Sequence, residues 1–296
     1  MLINTWHKQL LEMVVGQQNR KVIFIIQARM DSTRFPSKVL TSIPLADEKP
    51  ILKWITDSLK KSKYFQKIYL ATSTNELDNE LESFSKKEKI FLYRGSENNV
   101  LSRFVNIIKR EKPIDVIARL TADNPLIDIN KLDETICKHI NSDAHYTYTT
   151  GLPLGMNFEI INSNCLLNSA NLNLSHSDKE HVTLFIKNSN DYKKQKISFS
   201  NEFNSIRATI DYPSDYAFVS TYIEYVKKNS ISISSESIQD FVKIYPWTLK
   251  INNQNFQKKE FLTIEDEIQE VLPILKRLEF DKLYKFLKDK DLKNSN

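Results

Sequence analysis

The stretch Lys21–Leu40, KVIFIIQARMDSTRFPSKVL, decides how the rest of the chain is read. The apolar run from Val22 to Ile26 predicts a buried strand. It leads directly into a loop holding Arg29, Arg34 and Lys38, with Asp31, Ser32 and Thr33 between the cations and Phe35 and Pro36 stiffening the exit. A buried strand that ends in a cationic, hydroxyl-rich loop is where an open α/β sheet binds ligands. Three cations so close together repel one another unless an anion sits among them. A triphosphate supplies the charge and the acceptor oxygens, and Arg grips phosphate bidentately. The competing reading, a solvated charged loop, is disfavoured by the buried strand in front of it.

No G-x-x-x-x-G-K-[ST] motif is present. The chain has only 4 Gly in 296 residues, well below the roughly 7% average. Stacked backbone amides are therefore few, and side chains must hold the phosphates.

Outward from this loop, elements alternate. Ile51–Ser62 has helical spacing, Ile68–Thr72 is a short strand, and Asn75 is placed to cap a helix carrying Leu77, Leu81 and Phe84. Ile90–Tyr93 reads as a strand, Val100–Lys109 as an amphipathic helix, and Asp115–Leu120 as a strand entering Thr121-Ala122-Asp123. The alternation predicts an α/β fold with a mostly parallel sheet and right-handed crossovers. Further on, Met156–Ile161, Lys194–Ser198 and Ile206–Ile210 read as strands. Asn164–Leu172, Asp178–Asn188, Tyr216–Lys228 and Ser235–Tyr245 read as helices. Tyr146 and Tyr148, in HYTYTT, predict a strand with one exposed face. Thr263–Lys288 reads as one long helix, capped by Thr263 and Asp266 and kinked at Pro273, with a fraying polar tail. The chain thus divides into an N-terminal extension (1–20), a main domain (21–253) and a helical appendage (254–296).

Composition fits a cytoplasmic enzyme. A net charge of +5, from 42 Lys+Arg against 37 Asp+Glu, does not by itself argue for a nucleic-acid partner. No segment reaches the roughly 20 apolar residues of a membrane span. The N-terminus lacks the pattern of a signal peptide. Cys137 and Cys165 fall in predicted helices and read as buried thiols in a reducing compartment, with no zinc or disulfide pattern.

QARMDSTRFPSKVL resembles the opening loop of the cytidylyltransferases that activate bacterial surface sugars, most closely the spore-coat polysaccharide cytidylyltransferase-like family. That family is related to the enzymes that make CMP-activated keto-deoxyoctonate and CMP-sialic acids. The resemblance continues through RGSENNVLSRF (Arg94–Phe104), RLTADNPLID (Arg119–Asp128), KEHVTLFI (Lys179–Ile186) and RATIDYPSDY (Arg207–Tyr216). It implies a Rossmann-like three-layer nucleotidyltransferase fold, of the nucleotide-diphospho-sugar transferase type. It also implies transfer of CMP from CTP to a sugar-acid-like acceptor with release of pyrophosphate, Mg²⁺ as cofactor, and leaves a homodimer open.

Residue by residue, the resemblance places Arg29, Arg34 and Lys38 on the phosphates and Asp123 and Asp211 on the metal. Read alone, a strand-end Asp is as readily a cap or turn residue. Arg29, Lys38, Asp123 and Asp211 form the expected catalytic set. Gln27 and Ala28, with Arg94, Ser96 and Glu97, are expected around the base, where an ordinary turn and cap is the equal alternative. Arg103 reads as a salt-bridge residue and Arg119 as structural or phosphate-facing. Asn157, Glu159 and His181 are expected at the acceptor, although a lone His is more often simply a satisfied one.

Three positions depart from the family pattern: Ser37 stands where glycine is usual, Asn99 where an acidic residue precedes Val-Leu, and Lys179 where Arg is usual. If the glycine position has positive φ, Ser37 is strained. Two rivals stay open at this level: a glycosyltransferase or other-base nucleotidyltransferase of the same fold, and a non-catalytic nucleotide-binding subunit.

Overall fold

The structure is a computed structural model and describes residues 20–200, 206–255 and 263–294. The expected N-terminal extension lies outside the described residues except for Arg20. The chain divides into two compact units, 1–255 and 256–296.

The first unit is built on seven strands: β1 (Val22–Gln27), β2 (Lys67–Ser73), β3 (Phe91–Gly95), β4 (Val116–Thr121), β5 (Tyr146–Thr150), β6 (Glu159–Asn162) and β7 (Lys194–Ser198). Their order is β3-β2-β1-β4-β6-β5-β7. The pairs β3–β2, β2–β1, β1–β4 and β5–β7 are parallel, and β6 runs antiparallel to both β4 and β5. The result is a mixed, mostly parallel α/β sheet.

β1 explains why the sheet is covered on both faces. Val22, Phe24 and Ile26 enter one core, and Ile23 and Ile25 enter the other; all five are fully buried. A strand buried on both faces reads as a continuous apolar run rather than an alternation, and each such side chain contributes about 1.5–3 kcal/mol of burial. The first core is closed by α1 (Ile51–Leu59), α2 (Asn79–Glu88), α4 (Ile129–Ile140), α8 (Pro213–Asn229) and α9 (Ser235–Ile244). The second is closed by α3 (Val100–Glu111), α5 (Ser163–Asn168), Val182 after α6 (His176–His181), and α7 (Leu184–Asn188). The chain runs from β1 outward through β2 to β3 and then crosses back to place β4 on the other side of β1, so the strand order reverses there. The crevice at such a switch point, outside the carboxyl ends of the strands, is the ligand position of open α/β sheets.

Several expectations need correction. Residues 206–210 are not a strand of the sheet; they make one isolated bridge, Leu154 with Arg207. Their backbone is satisfied by loops: Ala208 N–H donates to Leu154 O (2.7 Å) and Ile210 N–H to Asp123 O (2.8 Å). Gly155 permits this close approach, because a Cβ there would lie 2.7 Å from Thr209 N. The helix expected over 178–188 is two short ones, broken at Val182 with φ 62°. β5 has no exposed face: Tyr146, Thr147 and Thr149 are buried, and Tyr148 and Thr150 are half-buried. Cys165 is buried, but Cys137 is exposed.

The second unit holds α10 (Ile264–Arg277) and α11 (Asp281–Asn294), not one long helix. Thr263 caps α10, accepting from Asp266 N–H (3.1 Å). Pro273 lies inside α10 without ending it. The break comes at Glu279 (φ 60°), where Phe280 N–H donates to Leu275 O and Glu279 N–H to Lys276 O. That is a Schellman ending, with a non-glycine residue in the left-handed position. The polar tail expected to fray is helical as far as Asn294.

Candidate active site

The loop after β1 folds back on itself. Met30 N–H donates to Asp78 Oδ1 (2.7 Å) and Ser37 N–H to Met30 O (3.2 Å). Ser37 adopts φ 55°, ψ 15°, the left-handed region, so the backbone keeps the bend that glycine would favour and a serine bears it. The 3-10 turn Lys38–Leu40 follows and buries the Lys38 side chain.

Lys38 Nζ donates to Ile210 O (2.6 Å), Asp211 Oδ1 (3.1 Å) and Asp123 Oδ2 (3.2 Å). Asp123, just past β4, and Asp211, 88 residues later in sequence, therefore meet around one ammonium. Asp123 Oδ1 accepts from Thr121 Oγ1 (2.7 Å), which accepts from Asn124 Nδ2 (2.8 Å). Asn124 Oδ1 is buried, with no hydrogen-bond partner among the described residues.

Arg34 joins the same group. Its NH2 donates to Asp211 Oδ1 (3.0 Å) and its NH1 to Tyr212 OH (3.3 Å), with the guanidinium 4.9 Å from the Tyr212 ring centroid. Partial burial pulls the Arg34 pKa down, but Tyr212 and Asp211 outweigh it and raise it. Arg34 and Lys38 thus find their counter-charge in the protein's own carboxylates, contrary to the expectation that only a bound anion could hold the three cations. Arg29 is different: it is exposed and makes no hydrogen bond or ion pair among the described residues.

On the β3 side, Arg94 is occupied locally. It donates to Ser73 O (3.0 Å), Asn75 O (2.7 Å) and Asn79 Oδ1 (2.6 Å). Glu97 Oε2 accepts weakly from Asn75 Nδ2 (3.4 Å), and Ser96 is exposed. Arg103 is not a salt-bridge residue. It is 2% exposed and donates to three backbone carbonyls, Ser96 (2.7 Å), Glu97 (2.9 Å) and Ala71 (3.4 Å). Burial lowers its pKa, partly opposed by Asp78 and reinforced by Arg29. Asn99 caps α3, accepting from Ser102 N–H (3.0 Å); Asn caps as well as Asp, so this departure keeps the helix start.

Gln27 does not face that side. Its Oε1 accepts from Arg119 Nε (3.1 Å) and NH2 (3.0 Å), and Arg119 NH1 pairs with Glu159. Glu159 also accepts from Tyr146 OH (2.5 Å), Thr183 Oγ1 (3.1 Å) and Lys187 Nζ (2.5 Å). Burial alone would raise the Glu159 carboxyl, but Arg119, Lys187 and Tyr146 hold it down at about 2. Ala28 is buried and its N–H donates to Ala71 O (3.2 Å). Asn157 braces its own turn through Thr149 Oγ1 (3.1 Å) and Leu152 O (3.1 Å), and His181 is exposed at the end of α6.

The structure therefore brings Arg34, Lys38, Asp123 and Asp211 together. Among the described residues Arg29 makes no hydrogen bond or ion pair to them, Gln27 is linked to Glu159 through Arg119, and Arg94 and Asn157 bond elsewhere. Three residues not singled out from sequence support the centre: Thr121, Arg207 and Asp215. Arg207 NH2 donates to Asp211 Oδ2 (3.1 Å), and its Nε donates to Asp215 Oδ1 (2.8 Å). One cation and two carboxylates at four-residue spacing, Arg207, Asp211 and Asp215, were the available signal. Their four-residue spacing suggests a helix face, which this irregular segment is not.

A switch-point crevice lined by a cationic loop and two convergent carboxylates defines a class, the nucleotidyltransferases of Rossmann-like α/β type. A cytidylyltransferase from Leptospira borgpetersenii has the same fold, with a TM-score of 0.72 and 26% identity, over 81% of this chain and all of that one. The model of the cytidylyltransferase family matches residues 23–259, and the chain belongs to that family. The spore coat polysaccharide biosynthesis protein SpsF of Bacillus subtilis is 39% identical over 203 residues, 66% of this chain and 83% of that protein. The 3-deoxy-manno-octulosonate cytidylyltransferase of Acaryochloris marina is 23% identical over 145 residues, 49% of this chain and 57% of that enzyme. No helix among the described residues is long and apolar enough to cross a membrane.

Proposed function

We propose that this enzyme transfers CMP from CTP to a sugar acid or related surface-polysaccharide precursor, with release of pyrophosphate and with Mg²⁺ as cofactor. The observation that carries the reading is the meeting of Asp123 and Asp211 around Lys38, at the switch point beside the family's cationic loop. The names of the relatives support both halves of it, the cytidylyl donor and the sugar-acid or polysaccharide setting.

The residues present fit a magnesium ion. One ammonium already bridges the two carboxylates, so the pair is spaced for a shared cation, and Asn124 Oδ1 is a further hard oxygen left without a partner. Asp123 and Asp211 would hold the ion, with substrate phosphates and water completing its oxygen ligands. When bound, Mg²⁺ supplies charge neutralisation at the phosphates and lowers the pKa of an adjacent hydroxyl. The chain's own groups do the rest. Arg29, exposed and unpaired, is a ready phosphate ligand. Lys38 and Arg34 exchange their carboxylate partners for phosphate oxygens as the nucleotide enters, and so remain paired throughout. In-line attack of an acceptor oxygen on the α-phosphorus is then favoured by positioning and charge stabilisation.

The base is read between the Gln27–Ala28 turn and the Arg94–Glu97 turn, and Asn157, Glu159 and His181 border the acceptor. The saturated bonding of Glu159 makes it an organiser of Arg119 and Gln27 rather than a direct ligand. The left-handed Ser37 and the Asn99 cap both preserve local geometry, which favours an active enzyme over a non-catalytic subunit. Incubation with each NTP, Mg²⁺ and a panel of sugar acids, with an assay for pyrophosphate, tests the proposal. Release only with CTP and an acceptor supports it. Release only with another NTP, or none with any sugar acid while a sugar is transferred from a nucleotide sugar, refutes it.

A further inference from the structure

Asp211 is a buried carboxylate surrounded by three cations, and they divide its two oxygens. Arg34 NH2 (3.0 Å) and Lys38 Nζ (3.1 Å) share Oδ1, whereas among the described residues Arg207 NH2 alone takes Oδ2 (3.1 Å). Arg34 and Lys38 belong to the loop that meets the nucleotide. Arg207 does not: it is 6% exposed and fixed from behind.

What fixes it is Asp215, which is fully buried. Asp215 accepts from Arg207 Nε (2.8 Å) and NH2 (3.2 Å), from Asn252 Nδ2 (3.0 Å) and Asn255 Nδ2 (2.7 Å), and from the backbone N–H groups of Asp211 (2.9 Å) and Tyr212 (3.0 Å). Asn252 Nδ2 also donates to Arg207 O (2.9 Å). One carboxylate therefore grips both the main chain of Asp211 and the guanidinium that holds the Asp211 side chain. A buried ion pair is a poor source of stability. Such a pair has another use when it fixes one rotamer of a third, functional group, as outer partners of metal ligands do.

We infer that Arg207, locked by Asp215, is the positioning residue of the site: it ties down Asp211 Oδ2 so that Oδ1 alone is presented to the cation. The inference rests on the reading of Asp211 as a metal ligand. In this arrangement the loop cations can leave Asp211 during turnover without freeing its carboxylate to rotate. Arg207 touches neither nucleotide nor metal.

The test measures Mn²⁺ binding by electron paramagnetic resonance, in the presence of saturating CTP, on the full chain. Three variants are compared: Arg207→Lys, Asn255→Ala and Asp211→Asn. Lysine keeps one charge but cannot bond Asp211 and Asp215 together, so Arg207→Lys weakens Mn²⁺ binding about tenfold, within the range for loss of a ligand's outer partner. CTP affinity measured without metal stays within about twofold, because the phosphate-facing side chains are untouched. Asn255→Ala removes one donor at the edge of the network, and weakens Mn²⁺ in the same direction by about threefold, the scale of one hydrogen bond. It serves if Arg207→Lys does not fold. If Asp211→Asn abolishes Mn²⁺ binding while both of the other variants bind it as the wild type does, the positioning role is wrong. If Asp211→Asn binds Mn²⁺ normally, the metal reading itself is wrong. A simple loss of stability would lower the melting temperature without this selective loss of metal.

Discussion

Lys38 and Asp211 are 173 residues apart in sequence, and the lysine ammonium lies 3.1 Å from Asp211 Oδ1. The same ammonium reaches Asp123 (3.2 Å). One internal cation thus holds the two carboxylates together, and both can be tested as a pair.

Asp123→Ala and Asp211→Ala are each expected to reduce turnover nearly to background. Asn at either site recovers little, because it lacks the charge that holds a divalent cation. Asp123→Ala leaves the melting temperature close to wild type, since Asp123 is partly exposed, whereas Asp211→Ala also strips a partner from buried Arg207. Steady-state rates at ordinary Mg²⁺ concentrations are the check. Retention of most activity by both variants would remove the proposed site.

Arg29 and Lys38 separate binding from folding. Arg29→Ala is expected to weaken CTP binding by about 1.5–3 kcal/mol, the scale of a charge-assisted hydrogen bond, with no change in stability, because Arg29 has no partner among the described residues. Arg29→Lys recovers part of the loss, since an ammonium lacks the planar fork. Lys38→Ala loses CTP affinity and stability together, because its three acceptors are left in place. CTP titration and thermal melts on the same preparations decide it. Unchanged CTP affinity in Arg29→Ala would return the loop to a solvated surface.

Ser37 holds φ 55° with no hydrogen bond from its hydroxyl. A left-handed non-glycine residue costs about 1–2 kcal/mol, against the roughly 0.5–1 kcal/mol of extra chain entropy that glycine loses on folding. Ser37→Gly is therefore expected to stabilise the protein by about 0.5–1 kcal/mol, with CTP affinity unchanged. Urea denaturation measures it, and a destabilised Ser37→Gly would mean that the serine is not strained.

The first half of the fold was legible because its central strands are buried on both faces and read as apolar runs, 22–26, 68–72 and, broken only by Arg119, 116–120. The loop was legible because its charges are concentrated and its departures few. What failed had physical causes. Residues 206–210 carry a strand's composition but find their hydrogen bonds in two loops and Lys38. Helix α4 was expected only around Cys137, without bounds, although Asp128 caps it through Lys131 N–H (3.1 Å). Val182 and Glu279 end helices in positive φ without glycine, which no local pattern announces. At the site, a single residue's role depended on distant partners. Glu159 is expected at the acceptor from its motif, and its oxygens accept from Arg119, Tyr146, Thr183 and Lys187, partners that no local pattern names. Arg207 and Asp215 gain meaning only once Asp211 lies between them.

His139 gives an acid-sensitivity prediction. It is buried in α4, with Nδ1 2.8 Å from Thr147 Oγ1 and Nε2 3.0 Å from Asn162 Oδ1. Burial pushes its pKa down to about 4, against the upward pull of Asn162. The unfolded chain binds the proton first, so this contribution is complete above pH 6.5 and is lost as pH falls from 6.5 toward 4, about 3 kcal/mol in all. Unfolding free energies at pH 7, 5.5 and 4 are expected to fall more steeply in wild type than in His139→Gln. Parallel curves would show that His139 titrates normally.

The most direct measurement compares the thermal stabilisation given by CTP, UTP, ATP and GTP with Mg²⁺, since at equal concentration the tighter ligand raises apparent stability more. The largest shift is expected from CTP, a smaller one from UTP, whose carbonyl stands where cytosine has an amino group, and little from the purines. A larger shift with ATP or GTP than with CTP would contradict the cytidylyl assignment.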